Sequence, residues 1–151
     1  MASEIRMKFH TKEVIRSIEQ AAAQRMEEAV IHVREVTIDT LGQPGTGRVY
    51  THYFWSDASG RLRRGRERGK PHQASAPGEP PAVDTGELRQ SVRWTIEGSG
   101  TEVTGTVGTK KKHGKMLEFG TTKIKARPWL HPSFLKSLDK VKQILGSKWF
   151  G

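Results

Sequence analysis

Residues 42–83 are rich in glycine and proline and poor in aliphatic side chains, and this segment constrains the fold more than any other. It holds seven of the 16 glycines and five of the seven prolines of the chain. Such a composition cannot offset the conformational entropy that is lost on ordering. A long stretch of this kind inside a compact domain is uncommon and usually functional. We therefore expect an extended arm outside the core.

The arm carries the signals of a β-hairpin. Residues 49–55 have strand propensity, residues 56–60 form a turn signal, and residues 61–68 are the expected return strand. The 151 residues of the chain fit one domain. We expect a single domain over residues 1–151, with residues 42–83 as an extended arm or hairpin insertion.

Hydrophobic periodicity predicts an α+β fold for the rest of the chain. Apolar residues at three- and four-residue steps predict one long helix over residues 11–41, which ends at Gly42. A short helix follows, with Asp84 and Glu87 as a capping box. Two antiparallel strands, a short helix ending at Gly120, a third strand over residues 122–130 and a last helix complete a small antiparallel sheet with a helix packed on it.

Both long helices are expected to bury one apolar face. In the first helix this face comprises Ile15, Ile18, Ala22, Met26, Ala29, Val33 and Val36. In the last helix the expected inward residues are Phe134, Leu135, Leu138, Val141 and Leu145.

The sequence contains few of the residue patterns that enzymatic chemistry requires. It contains no cysteine, its six histidines show no metal-ligand spacing, and it has neither a phosphate-binding loop nor a nucleophile elbow. The triplet Asp84-Thr85-Gly86 matches the catalytic loop of aspartic proteases, but prolines precede it and Glu87 follows it, so we interpret it as a helix start. We expect no enzyme, no cofactor and no metal. Without an apolar run or a signal core we also expect no membrane segment and no export.

The chain carries a formal net charge of +10, which favours polyanionic partners without choosing among them. Six basic residues and one acid lie between residues 61 and 70, just after a run of aromatic residues that can stack on bases. A solvated or partner-facing charge run is the common explanation. Non-specific contact with DNA phosphates remains open, as does a basic DNA-binding module. The candidate phosphate contacts are Arg61, Arg63, Arg64, Arg66, Arg68 and Lys70.

Two segments in the second half of the chain form a recognisable pattern. The first is APGEPPAVDTGELRQSV at residues 76–92, and the second combines LEFGT at 117–121 with ARPWLHP at 126–132. In order and spacing they resemble the siphophage neck and tail-completion family of minor tail components, which includes the phage lambda minor tail protein Z. The resemblance covers about residues 5–147. The expected fold determinants in these motifs are Asp84, Thr85, Gly86, Leu88, Glu118, Phe119, Gly120, Arg127, Pro128 and Trp129.

The resemblance implies a structural virion protein of the neck or upper tail, assembled in the bacterial host cytoplasm. Such a protein completes the tail and helps to join it to the head-side connector. The resemblance also implies a ring of identical copies, a hexamer rather than a dodecamer, with the connector or stopper, the tail terminator and the tail tube as partners. A tail terminator that caps the tube is the alternative within this class.

The arm is the part of the chain that we expect to reach a neighbouring subunit, and its aromatic residues are expected to become buried only in the assembly. The expected interface residues are Tyr50, Tyr53, Phe54, Trp55, Pro80 and Pro81.

Overall fold

The computed structural model describes residues 11–100 and 102–147, with the backbone alone for residues 52–56, 62 and 64–70. The fold is α+β, as predicted, and its strands form two separate two-stranded antiparallel sheets, β1–β2 and β3–β4. The elements are α1 (Thr11–Thr40), β1 (Val49–Ser56), β2 (Leu62–Gln73), α2 (Glu87–Ser91), β3 (Arg93–Ser99), β4 (Glu102–Gly108), α3 (Lys112–Phe119) and α4 (Leu130–Gly146).

The long helix α1 forms the spine of the body, and α4 and the β3–β4 sheet pack against it. Gly105 in β4 permits a close approach, because a Cβ atom there would lie 2.7 Å from the Met26 sulfur and would overlap Val30. The predicted apolar face of α1 is covered only in its second half. Ala29 and Val33 are buried, whereas Ile15 and Ile18 are 49% and 42% exposed.

A small apolar core lies beyond the C-terminal end of α1. Leu41, Val92, Leu117 and Trp129 are buried together there. Leu88, Val107 and Leu130 are partly buried against this cluster. The core therefore joins residues from both halves of the motif pattern, at α2 and at the α3–α4 connection.

The prediction of a third strand over residues 122–130 is wrong. The backbone N–H of Thr121 donates to the Ile124 carbonyl at 2.7 Å, which closes a turn, and Arg127 N–H donates to the Leu117 carbonyl at 2.7 Å. The Ala126 carbonyl accepts from Gly78 at 3.0 Å. These backbone groups therefore bond to loops and to the end of α3 rather than to a sheet.

The predicted capping box at α2 is also wrong. Gly86, with φ of 77°, is the N-cap of α2 and makes no side-chain cap bond, and Thr85 Oγ1 accepts from Glu87 N–H at 3.3 Å. The Glu87 carboxylate pairs with Lys111, and this ammonium group lowers the pKa of Glu87. An ion pair with a neighbouring loop thus replaces the expected bond back to the helix start.

The inward face predicted for α4 is only partly right. Phe134 and Leu135 are 43% and 54% exposed, and the buried residues are Ser133, Ser137 and Ile144. Each serine hydroxyl donates to a carbonyl of its own helix, Ser133 to Trp129 and Ser137 to Phe134. Small side chains that satisfy their own polar groups can lie at a close helix contact, so the larger residues are left outside. Leu138, Val141 and Leu145 are half-buried.

Candidate assembly surfaces

Glu118 joins the two halves of the second motif. Its carboxylate accepts backbone N–H groups at the start of α4, from Trp129 at 2.7 Å, Leu130 at 2.8 Å and His131 at 3.0 Å. A helix start carries unpaired N–H donors and the positive end of the helix dipole, and both favour a carboxylate. The glutamate of the Glu-Phe-Gly-Thr motif is therefore the cap of α4, a role that sequence reasoning did not assign.

Trp129 and Arg127 connect α4 to the rest of the body. Trp129 is 1% exposed, and its indole Nε1 donates to the buried Gly114 carbonyl at 3.0 Å. Arg127 Nε donates to the carbonyl of buried Ser75 at 3.2 Å, which ties the α3–α4 connection to the segment that follows the arm. The motif residues thus hold the root of the arm against the body; Pro128 between them is half-buried.

Glu79 fastens the two strands of the arm at their root. Its carboxylate accepts the backbone N–H of Thr46 at 3.1 Å, before β1, and that of Ala76 at 2.9 Å, after β2. It also accepts the Thr46 hydroxyl. The hydroxyl bond and then the two backbone bonds lower the pKa of Glu79. The half-buried Glu79 therefore holds both ends of the arm together.

Close backbone packing completes the root of the arm. A Cβ atom on Gly47 would lie 2.8 Å from the backbone of Ser75, and one on Gly45 would overlap the Ala74 carbonyl. Gly47 N–H donates to Ala74 at 2.8 Å, and Ala74 N–H donates to Arg48 at 3.0 Å. Only glycine fits at these two positions, because any Cβ atom would collide with the facing backbone.

The arm itself is an antiparallel hairpin with an irregular register. Tyr50 pairs with His72 and His52 with Glu67, so the return strand contains extra residues between these pairs. A second register shift lies between His52 and Phe54. Gly65, Gly69 and Pro71 occur in the shifted part of β2, and such residues mark bulges in strands. The return strand is also longer than predicted, since it extends to Gln73.

Asp57 organises the turn at the tip of the arm. Its Oδ1 accepts the Ser59 N–H and hydroxyl at 3.0 and 2.6 Å and the Arg61 N–H at 3.0 Å, and its Oδ2 accepts Arg63 Nε at 2.9 Å. The Ser59 hydroxyl and the Arg63 guanidinium lower the pKa of Asp57 from its ordinary value of 3.8 to about 2. The charged carboxylate is therefore part of the turn.

The turn at the arm tip is expected to open only at strongly acidic pH. Because the pKa of Asp57 is lower in the folded hairpin than in the unfolded chain, the stabilisation is complete above 3.8 and is lost as pH falls through about 2. An NMR titration should place the Asp57 carboxyl near the lower value and show loss of amide protection at Ser59 and Arg61 over the same range. Asp57→Asn removes the titration and serves as the control; titration of Asp57 near 3.8 would contradict the assignment.

The structure describes the side chains of part of the predicted arm interface. Tyr50 is half-buried, and the Arg48 guanidinium lies 5.2 Å from the centre of its ring, within cation–π range. Tyr53, Phe54 and Trp55 follow it in β1, with Phe54 opposite Arg64 and Trp55 opposite Arg63 in the register. The side chains of these three aromatic residues lie outside the described part, so their predicted burial in the assembly stays a prediction.

The predicted phosphate contacts are distributed along β2 and the turn before it. Arg61 and Arg63 are exposed, and Arg63 forms its ion pair with Asp57. An aspartate partner reduces the positive charge that Arg63 offers to a polyanion. The side chains of the remaining candidates are outside the described part: Arg64, Arg66, Arg68 and Lys70.

The two prolines before α2 lie at the body rather than on the hairpin. Pro80 and Pro81 are half-buried, and Pro81 lines a cavity of about 200 Å³ with Leu41, Leu88 and Lys111. Asp84 is exposed at the edge of this cavity. The cavity is small for a ligand site, since such sites usually have 300–1,000 Å³.

A larger apolar groove crosses the body and was not predicted. It has a volume of about 600 Å³ and lies between α1, β4, α3 and α4. Residues that line it include Met26, Ala29, Val33, Val107, Phe119 and Phe134. We call this feature the groove.

Phe119 forms one rim of the groove. It was expected among the fold determinants, yet it is 76% exposed, whereas Leu117 two positions earlier is buried in the core. Residues two apart lie on opposite sides of a helix, so the same helix cannot bury both in one core. Gly120, with φ of 74°, then ends α3.

The described residues show neither a metal site nor a membrane-spanning helix. Among them no three His, Cys, Asp or Glu side chains are grouped as metal ligands. Within the same ranges, no helix has both the length and the apolar character needed to cross a bilayer.

Comparison with known proteins gives one match. The model of the family described as "Bacteriophage HK97-gp10, putative tail-component" matches residues 7–120, which include α1, the arm, the β3–β4 sheet and α3. The chain belongs to this HK97-gp10-like family of bacteriophage tail components. No curated protein and no solved structure matches the chain. Family membership makes it a virion component with other tail proteins as partners; the specific likeness to the lambda protein Z stays a prediction.

Proposed function

We propose that the chain is a non-enzymatic structural protein of the phage neck or upper tail, which acts as a homo-oligomeric ring. In this role it completes the tail and helps to join it to the head-side connector. A hexamer is the expected ring. The connector or stopper, the tail terminator and the tail tube are its expected neighbours.

The apolar surface that the described residues leave uncovered is the observation that carries this proposal. Phe119 is 76% exposed, Val14 and Leu135 are each 54% exposed, and an apolar groove of about 600 Å³ crosses the body. Monomeric proteins rarely expose large contiguous apolar patches, and such patches mark protein–protein contacts. Identical copies that meet through two different surfaces can close a ring by rotation.

The arm supplies a second argument for assembly. A two-stranded hairpin alone is marginally stable in water and presents open strand edges. In this chain Glu79 holds the two ends of the hairpin together, and the bond from Arg127 to Ser75 fixes them to the body. A hairpin that is fixed at its root and extends from the body is suited to contact a neighbour.

Removal of the arm tests its part in tail joining. Because Arg48 and Ala74 are already paired at the root, residues 49–73 can be replaced by an Asn-Gly turn with little change to the body. We expect a folded protein with unchanged helical circular dichroism that no longer complements a deletion of its gene in the phage that encodes it. Electron microscopy should then show heads and tails that are not joined. An unfolded product, or normal complementation, would contradict this role of the arm.

The same gene deletion separates a tail-completion protein from a tail terminator. Tails of normal length without heads indicate completion, because the tube has stopped at its normal length. Tails of abnormal length indicate a terminator. The particle length distribution in electron micrographs therefore decides between the two.

A basic DNA-binding module is the alternative from another class, favoured by the basic residues of β2. Duplex binding with a steep dependence on salt and a clear base preference would support it. Weak binding without base preference would fit a ring component that touches passing DNA. Filter binding with two duplexes of unrelated sequence at several salt concentrations distinguishes these outcomes.

A further inference from the structure

We propose that the groove of one copy receives the first turns of α1, residues 11–18, from a second copy of the chain. This inference rests on the ring proposed above and specifies which two surfaces meet in it.

The first turns of α1 present an uncovered apolar stripe, formed by Val14, Ile15 and Ile18. These side chains are 54%, 49% and 42% exposed. The elements that pack on α1 reach it further along. Gly100, at the tip of the β3–β4 hairpin, lies beside Glu19, and the Ile144 carbonyl near the end of α4 accepts from Arg25 at 2.7 Å. The stripe lies on the turns before these contacts.

The groove has the size and chemistry of a helix-binding surface. It offers about 600 Å³, apolar walls from α1 and β4, and two aromatic rims, Phe119 at 76% and Phe134 at 43% exposure. Amphipathic helices bind such grooves through side chains three and four residues apart. Ile18 follows Val14 by four residues and Ile15 by three, so the stripe has this spacing.

The geometry of α1 excludes insertion of the stripe into the groove of its own chain. Met26, Ala29 and Val33 of the same continuous helix form one wall of that groove. Ile18 lies eight residues before Met26, which corresponds to about 12 Å along the helix axis. A helix cannot fold back over its own side, so the groove that accepts the stripe belongs to another molecule.

A contact between two different surfaces of the same chain is heterologous. Each copy then donates a stripe to one neighbour and accepts a stripe from the other, and repetition by rotation closes a ring. The stripe and the groove both lie within the uncovered surface that supports the ring.

Charge substitutions at exposed positions test the contact without a change in the core. We expect Ile18→Glu in the stripe and Phe134→Glu at the groove rim each to raise the concentration at half-assembly roughly 100-fold. The matched controls add the same charge to the same helices: Ala23→Glu on α1 and Leu135→Glu, which is exposed but does not line the groove. Light scattering after gel filtration measures assembly, and thermal unfolding verifies that all four variants fold.

Cross-linking identifies the two surfaces directly, because the chain contains no cysteine. The Ile18→Cys variant is mixed with the Phe134→Cys variant and treated with a short thiol-reactive cross-linker. We expect a covalent dimer of one copy of each variant. A mixture of the Ala23→Cys and Leu135→Cys variants, which serves as the control, should remain uncoupled.

The outcomes separate this contact from the ring itself. The contact is overturned, and the ring remains, when the wild-type chain forms a ring and the Ile18→Glu variant assembles just as well. The same conclusion follows when the stripe and groove cysteines do not couple. A wild-type chain that remains a monomer at every concentration overturns both. A different result in native mass spectrometry is an apolar small molecule bound to rings that the Ile18→Glu variant forms normally, with the molecule lost in the Phe134→Glu variant. That result assigns the groove to a ligand and overturns the contact.

Discussion

The Trp129→Ala variant is expected to lose about 3–5 kcal/mol of its free energy of unfolding. The indole is 1% exposed and packs with Leu41, Val92 and Leu117, so the substitution leaves a cavity in the small core. Single domains have about 5–15 kcal/mol of stability in total, and this loss is a large part of it. Urea unfolding monitored by circular dichroism gives the value.

The Trp129→Phe variant separates packing from hydrogen bonding at the same position. It keeps an aromatic ring in the core but removes the N–H group that donates to Gly114 at 3.0 Å. A buried carbonyl without its partner costs about 1–3 kcal/mol, so this variant should be more stable than Trp129→Ala. Equal losses for both variants would show that the hydrogen bond, and not the cavity, dominates.

The Glu118→Ala variant is expected to lose about 2 kcal/mol, which is the upper range for the loss of a helix cap. The substitution leaves three N–H groups at the start of α4 without their acceptor: those of Trp129, Leu130 and His131. The effect should also be local, because these amides lose their protection before the rest of the body unfolds. Urea unfolding gives the global loss, and amide hydrogen exchange at Leu130 and His131 gives the local one.

The Glu118→Gln variant is the control for charge at the cap of α4. Its amide oxygen can still accept hydrogen bonds, but it lacks the negative charge that interacts with the helix dipole. We therefore expect a loss between those of wild type and Glu118→Ala. Unchanged amide exchange at Leu130 and His131 in the alanine variant would contradict the capping role.

The long helices and the β3–β4 hairpin could be predicted because their signals are local. Repeats of three to four residues define α1 and α4, and alternation defines β3, where half-buried Trp94 and Ile96 lie between exposed residues. The α+β class follows from these elements. The two separate sheets do not follow, because strand pairing depends on where the hairpins pack against α1.

The faces of the helices could not be predicted from hydrophobicity alone. That criterion places every large apolar residue inside, as it did with Phe134 and Leu135. In the structure the buried residues of α4 are Ser133, Ser137 and Ile144, so two of the three are small and polar. The apolar residues that remain outside are available for contacts in the proposed ring, and no local pattern distinguishes them from core residues.

The contacts that sequence reasoning missed join residues far apart in the chain. Glu79 bonds to Thr46, 33 residues away, and Glu118 bonds to residues beyond the next loop. Position 114 of α3 is occupied by glycine, because a Cβ atom there would meet Leu88 at 3.0 Å and Trp129 at 3.3 Å. Motif spacing marked Glu118 and Trp129 as important, whereas their partners could be found only in the folded chain.

The contacts at the root of the arm do not depend on how long the arm is, so the length of the arm can change without loss of stability in the body. Each residue added to both strands beyond the root extends an antiparallel hairpin by about 3.4 Å. Two added pairs therefore move the tip by about 7 Å, while Glu79, Gly45 and Gly47 keep their contacts. In the proposed ring the arm must span a fixed distance to the neighbouring subunit. Insertions or deletions in this one hairpin could match that distance without a change in the rest of the domain.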